Sequence, residues 1–242
     1  MKILCVIPSR IGSTRLERKP LLSIQGIPMI QMVYENAVRC KLLSKVIVAT
    51  DNTEIANIIK KCGGYAELTN SEFYTGSDRV AAIAEKHHDV DVIINLQGDE
   101  PFIKPKMLEQ LISPYLTGEN PEMATLAYNL SIRDYNDPET VKVITNLKGY
   151  ALYFSRSPIP YLKNKTKTLP VYHHIGIYAF KREFLLQYTK LSQTPCELAE
   201  SLEQLRALEH GYNIRVSLTE EKTLEINTLK DLMLAQNFKY NR

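Results

Sequence analysis

Residues 45–68 read KVIVATDNTEIANIIKKCGGYAEL. Lys45 to Ala49 is an apolar run of the length of a buried strand. Thr53 to Cys62 then carries Ile55, Ala56, Ile58 and Ile59 at helical spacing, and Gly63-Gly64 is a helix stop. Tyr65 to Leu68 reads as a short strand. A strand, a helix and a second strand in so short a span make a parallel crossover unit. Working outward, Ile3 to Ile7 is another buried strand ending at Pro8, and Val92 to Leu96 a third, broken by Gln97-Gly98-Asp99-Glu100-Pro101. Between them, residues 28–41 place Ile30, Val33, Tyr34, Ala37 and Val38 on one helical face, and Arg79 to His87 is helical again. The expected fold is α/β, with a mostly parallel central sheet flanked by helices. Such sheets bind ligands at the carboxyl ends of their strands. That edge carries Ser9 to Pro20, Thr50-Asp51 and Gln97 to Pro101.

The second half changes character. Met123–Leu130, Val141–Thr145, Tyr150–Ser155 and Ile175–Phe180 read as strands with longer, mixed connections. Leu198 to His210 reads as one helix, with Leu198, Leu202, Leu205 and Leu208 on a common face. Asn213–Leu218 is a late strand and Thr228–Gln236 a final helix, and there is no internal repeat. The 242 residues are 44% hydrophobic and 24% charged, ordinary globular usage that excludes disordered, collagenous and coiled-coil classes. Thirty basic against 27 acidic residues leave a net charge of +3 with no long run of one sign, which argues against a nucleic-acid partner. No apolar stretch reaches the roughly 18–20 residues of a membrane span, and the first apolar run is too short for a signal-peptide core. Cys5, Cys40, Cys62 and Cys196 are far apart with no CxxC pair, so a reduced, cytoplasmic protein is expected. The basic cluster Lys163-Asn164-Lys165-Thr166-Lys167 reads as a solvated loop.

Two segments carry chemistry. Arg10, Arg15, Arg18 and Lys19 follow the first strand within ten residues, interleaved with Ser13 and Thr14. A loop of this composition can aim cations and backbone N–H groups at a polyphosphate. It matches neither the P-loop pattern nor GxGxxG. Asp99, at the carboxyl end of a buried strand, stands where Mg²⁺ would meet a bound nucleotide, since Mg²⁺ shares one or two carboxylates with substrate phosphates. From charge and position alone, a solvated basic loop and a simple Asp turn remain open readings.

Taken with VIVATD, TGSDR, MATLAY, VKVI, YALYFSRSPIPY, HHIGIYAF and LEQLRALE, the segments PSRIGSTRLERKPL and NLQGDEP closely resemble the cytidylyltransferases that activate 3-deoxy-manno-octulosonate (Kdo). The resemblance spans almost the whole chain in the expected order. It implies a nucleotidyltransferase fold: one α/β domain over 1–242, with a nucleotide-binding half at about 1–120, a sugar-binding and dimerising part at about 121–215, and 216–242 returning to the metal site. It implies the transfer of CMP from CTP to Kdo, releasing pyrophosphate, with Mg²⁺, in a homodimer serving lipopolysaccharide assembly. Carried over by position, Arg10, Ser13 and Lys19 would bind triphosphate, and Arg15 would reach phosphate or the sugar acid. Thr75, Gly76, Ser77 and Arg79 would read cytosine. Gln97, Arg156, His174, Glu203 and Gln204 would line the sugar pocket, and Asp99 and Asn227 would face the metal. The implied catalytic set is Arg10, Arg15, Lys19 and Asp99.

The residues also have structural alternatives: Arg156 as an ion pair, Glu203 paired with Arg206 at i, i+3, and one of His173 and His174 facing solvent by strand alternation. Two departures stand out. The family's LPGKP is here Leu16-Glu17-Arg18-Lys19-Pro20, which predicts a looser loop and a less firmly placed Lys19. Asn227 stands where the family has a metal-binding Asp, with Glu225 two residues away on the same strand face. The alternative within the same class is a cytidylyltransferase for 8-amino-Kdo or another acidic sugar. From other classes, a glycosyltransferase of similar fold and a catalytically weak nucleotide-binding protein are the competing readings.

Overall fold

The computed structural model describes residues 1–12, 16–73, 75–164 and 171–238. Two compact units emerge, one from residues 1–109 and 223–242, the other from 110–222. In chain order the first comprises β1 (Ile3–Ser9), a 3-10 turn (Lys19–Leu21), the short hairpin β2 (Ser23–Ile24) and β3 (Ile27–Pro28), α1 (Met29–Ala37), β4 (Lys45–Thr50), α2 (Thr53–Lys61), β5 (Tyr65–Leu68), α3 (Gly76–Lys86) and β6 (Val92–Asn95). Helix α4 (Pro105–Leu116) leads the chain out of it. β1 pairs in parallel with both β4 and β6, and β4 with β5, so the strand order is β6-β1-β4-β5. Every residue of β1 and β6 is buried, as expected of strands covered on both faces. The chain steps from β1 to β4 to β5 in one direction and then returns to the other side of β1. The crevice at the carboxyl ends of β1 and β6 is therefore the switch point of the sheet.

The second unit comprises β7 (Met123–Asn129), β8 (Lys142–Thr145), β9 (Ala151–Ser155), β10 (Tyr172–Lys181), α5 (Arg182–Tyr188), α6 (Pro195–Glu200), α7 (Leu205–Glu209) and β11 (Ile214–Leu218). β10 runs antiparallel to β7 and β8, β8 antiparallel to β9, and β11 parallel to β7. α8 (Leu229–Gln236) closes the chain in the first unit, where Ile226 and Ala235 pack with Ile24, Met29, Met32 and Phe102. Among the described residues no helix is long and apolar enough to cross a membrane.

One expectation needs correction, and one helix was missed. The single helix over 198–210 is two short ones, broken where Ser201 turns left-handed at φ 52°. The break also splits the leucine face: Leu202 and Leu205 are buried and Leu208 half-buried, whereas Leu198, ahead of the turn, is exposed. Helix α4 was not anticipated, since Pro114 inside it interrupts the pattern that Met107, Leu108, Leu111 and Ile112 otherwise carry into the core. Of the basic cluster, 165–167 lie outside the described residues.

Candidate active site

A cavity of about 330 Å³ opens at the switch point of the first unit. Pro8, Ser9 and Arg10 line it from the end of β1, Lys19 and Pro20 from the 3-10 turn, Thr75, Gly76 and Arg79 from the start of α3, and Gln97, Gly98 and Asp99 from the end of β6. Four segments that are distant in sequence meet here because parallel crossovers put every strand's carboxyl end on one edge. Ser13 and Arg15 lie outside the described residues.

Lys19 is the centre of the charged contacts. Its ammonium donates to Asp99 Oδ2 at 2.6 Å and to Asn227 Oδ1 at 3.2 Å. Asn227 is delivered by the segment ahead of α8: the Ile226 N–H donates to the Asp99 carbonyl at 3.0 Å while the Ile226 side chain is buried, and the Asn227 N–H donates to Asp231 Oδ2 at 3.0 Å. The expectation of a loosely placed Lys19 is thereby corrected. Arg18 adopts the left-handed conformation (φ 52°) that a glycine would take at no cost, and its guanidinium pairs with Glu54. The turn keeps its shape and the strain is borne by Arg18. The strand-face argument for Glu225 also fails, because 221–227 belong to no strand and Glu225 is exposed while Asn227 is half-buried.

The donors suit a hard cation in part. Asp99 Oδ1 is buried and has no hydrogen-bond partner among the described residues, and Oδ2 and the Asn227 amide oxygen converge on one point. Among the described residues no cluster of three or more His, Cys, Asp or Glu side chains could hold a metal ion. One carboxylate and one amide oxygen fit Mg²⁺ that takes its remaining ligands from phosphates and water.

Thr75 caps α3, accepting from the Asp78 N–H at 3.1 Å while Asp78 accepts from the Thr75 N–H at 2.9 Å. This capping box fixes Gly76 at the cavity wall. Ser77 is buried, and its Oγ accepts from Asn95, whose own amide oxygen accepts from Gln97 Nε2 at 3.1 Å. Gln97 is held through that chain. Arg79 lines the cavity but is almost fully buried: Nη2 pairs with Asp51 Oδ2 at 3.1 Å, Nη1 donates to Thr69 Oγ1, and Phe73 lies 5.7 Å away. Asp51 Oδ1 in turn accepts from the Ile11 N–H at 3.2 Å. Arg79 thus ties the basic loop to the ends of β4 and β5, beyond any contact it makes with a base. Gly98 sits in close approach, because a Cβ there would meet the Pro8 carbonyl oxygen at 3.1 Å and the loop would have to give by a few tenths of an ångström.

The remaining candidates belong to the second unit. Arg156 donates from Nε to the Glu200 carbonyl at 2.9 Å and from Nη1 to the Pro138 carbonyl at 3.1 Å. His174 is buried, with Nε2 on Thr125 Oγ1 at 2.9 Å. Burial lowers its pKa to about 3 and holds it neutral. His173 is half-buried, its Nδ1 on Tyr128 Oη at 2.5 Å, so alternation makes it the more exposed of the pair but does not free it into solvent. The Thr125 hydroxyl lies on the Ile175 and Ile177 carbonyls where β10 bulges, so its oxygen is an acceptor for the His174 N–H. Gln204 accepts from Tyr178 Oη at 3.0 Å, and its Nε2 is buried with no partner among the described residues. Glu203 and Gln204 stand on the turn between α6 and α7. Arg206 pairs with Glu197, not with Glu203.

Several residues were not singled out by sequence. Asp51 orders both Arg79 and the basic loop, and its position at a strand end was the available signal. Ser9 Oγ is buried without a partner among the described residues. Lys142 is fully buried, its ammonium donating to the carbonyls of Asp137, Thr140 and Arg156, and a lysine inside the apolar run VKVI was the hint. Glu100 is buried beside Asp99 and accepts from Thr223 Oγ1 at 2.6 Å, and burial raises its pKa well above the usual carboxylate value.

Residues 4–221 match the family model for cytidylyltransferases. The chain is 50% identical over 239 residues to the 3-deoxy-manno-octulosonate cytidylyltransferase of Acaryochloris marina, covering 98% of this chain and 97% of that one. It is 47% identical over 234 residues to the enzyme of the same name from Synechococcus elongatus, covering 96% of each. Among solved structures, that of CMP:2-keto-3-deoxy-manno-octonic acid synthetase complexed with CTP superposes with a TM-score of 0.91 at 40% identity, over 98% of this chain and all of the other.

Proposed function

The chain belongs to the cytidylyltransferase family, and from that premise we infer that it transfers CMP from CTP to the anomeric hydroxyl of Kdo, releasing pyrophosphate. The observation that carries the reading is the cavity at the switch point, where Arg10, Lys19, Asp99 and the α3 amino end converge, in a chain 50% identical to an enzyme of that name. The product would supply activated Kdo for lipopolysaccharide. A cytoplasmic homodimer is part of the proposal, with the first unit taking nucleotide and the second taking sugar.

The anomeric hydroxyl attacks the α-phosphorus and pyrophosphate leaves in line, so no covalent intermediate is needed. Catalysis rests on positioning and on neutralising charge that grows on the leaving group. Arg10, Ser13 and Lys19 are assigned to the triphosphate, with Arg15 between phosphate and sugar. Thr75, Gly76, Ser77 and Arg79 are assigned to the cytosine end, because their TGSDR segment matches the family's cytosine-contacting turn and all but Ser77 line the cavity. Bound Mg²⁺, held by Asp99 and Asn227, would add positive charge at the phosphates and polarise the attacking hydroxyl. Gln97, Arg156, His174, Glu203 and Gln204 are assigned to the sugar. His174, kept neutral by burial, contributes hydrogen bonding and leaves the sugar carboxylate to the arginines.

Pyrophosphate release from CTP across a panel of acidic sugars tests this. Kdo should be the best acceptor, with CTP preferred over ATP and GTP. Equal turnover with ATP, or no release with any sugar acid, overturns the reading. Asp99→Asn should remove nearly all activity, and substantial residual turnover would refute the metal assignment.

A further inference from the structure

Lys19 Nζ sits on Asp99 Oδ2 at 2.6 Å and Asn227 Oδ1 at 3.2 Å, two oxygens on which a divalent cation would draw, while the other Asp99 oxygen, Oδ1, is buried. The contact is largely sheltered, with the Lys19 side chain 13% and the Asp99 side chain 23% exposed. A cation drawing on the same pair must displace the ammonium. The contact itself gives it little reason to do so: the one carboxylate in it is matched by one ammonium, and Asn227 contributes no charge. We propose that Lys19 is the resident counter-ion of this site and excludes divalent metal until a triphosphate draws its ammonium away. The Asp99–Asn227 pair then becomes available, and the metal enters with the nucleotide. A carboxylate at 227 would leave a net negative charge beside the ammonium, so the exclusion depends on the amide that this chain carries.

The proposal rests on the cytidylyltransferase reading only for the identity of the triphosphate. The metal arm of its test is independent of turnover. Mn²⁺ binding to nucleotide-free protein is measured by water-proton relaxation in wild type, Lys19→Met, Lys19→Arg and Lys19→Met/Asp99→Asn. Removing the ammonium should tighten Mn²⁺ binding about tenfold or more, given the strength of like-charge repulsion at such short range. Lys19→Arg, which keeps the charge, should bind as weakly as wild type, and the double variant should lose what Lys19→Met gained. Equal binding by wild type and Lys19→Met overturns the proposal. So does equal tightening by Lys19→Arg, because then bulk and not charge does the excluding. A second measurement uses the unaltered protein and follows the Lys19 ε-ammonium by nitrogen-15 NMR. CTP in the presence of EDTA should move the signal, whereas millimolar Mg²⁺ alone should leave it in place. A shift with Mg²⁺ alone refutes the exclusion. Failure of CTP alone to move the signal counts against the nucleotide reading.

Discussion

Acidifying the protein from pH 7 to pH 5 should destabilise it through His174, and the size of the effect follows from its surroundings. The imidazole is 7% exposed, packed edge-on against Phe154 at 4.9 Å, with Nε2 on Thr125. Burial drops its pKa from 6.5 to about 3. In the unfolded chain the same group takes up a proton below 6.5, while in the folded chain it stays neutral down to about 3. The unfolded state therefore binds more protons across that window, and stability falls as pH falls. At pH 5 the loss relative to pH 7 is about 2 kcal/mol, at 1.4 kcal/mol for each pH unit below the unfolded pKa. His173, lowered to about 4, acts in the same direction. Glu100 acts oppositely, because its raised pKa gives stability at low pH that is lost as pH rises past 4.5. The informative quantity is thus the difference between wild type and His174→Gln. Urea midpoints followed by far-ultraviolet circular dichroism from pH 5 to 7 suit a chain without tryptophan. The variant should start lower at pH 7 and lose about 2 kcal/mol less than wild type on acidification. Parallel curves for the two proteins would refute a buried neutral His174.

Arg18→Gly should stabilise the protein by about 1 kcal/mol, since it relieves left-handed strain and sacrifices only an exposed ion pair with Glu54; an unchanged or lower urea midpoint contradicts this. Gly98→Ala should cost about 1–3 kcal/mol and raise KM for CTP, because the new methyl meets the Pro8 carbonyl at 3.1 Å; unaltered stability and KM would mean the loop yields freely. Arg206→Met should cost about 3–5 kcal/mol by stranding the Glu197 carboxylate, whose side chain is 6% exposed; a melting temperature within a degree of wild type would exclude that. Asn227→Asp should move the Mg²⁺ activation curve to lower concentration, whereas Glu225→Gln should leave it in place because Glu225 is exposed; a severe Glu225 phenotype would reverse the two roles.

The α/β class and the carboxyl edge that holds the cavity were legible in the local pattern. Strands such as Ile3–Ser9 and Val92–Asn95 are buried on both faces, so they are written as unbroken apolar runs. The helix between Thr53 and Lys61 announces itself by period and by its glycine end. The motifs that carry the resemblance likewise singled out Lys19 and Asp99, and a departure from the family pattern singled out Asn227, before any geometry. What they could not carry was the pairing among them. Lys19 and Asn227 are 208 positions apart, and their contact depends on Ile226 entering the core while its N–H finds the Asp99 carbonyl. The break at Ser201, the choice of Glu197 over Glu203 by Arg206, and the neutrality of His174 are of the same kind. Spacing along a chain determines which faces can be apolar, a local property of period. Which carboxylate meets which cation, and which imidazole is stripped of water, depends on chain segments brought together by packing, and only the tertiary structure decides that.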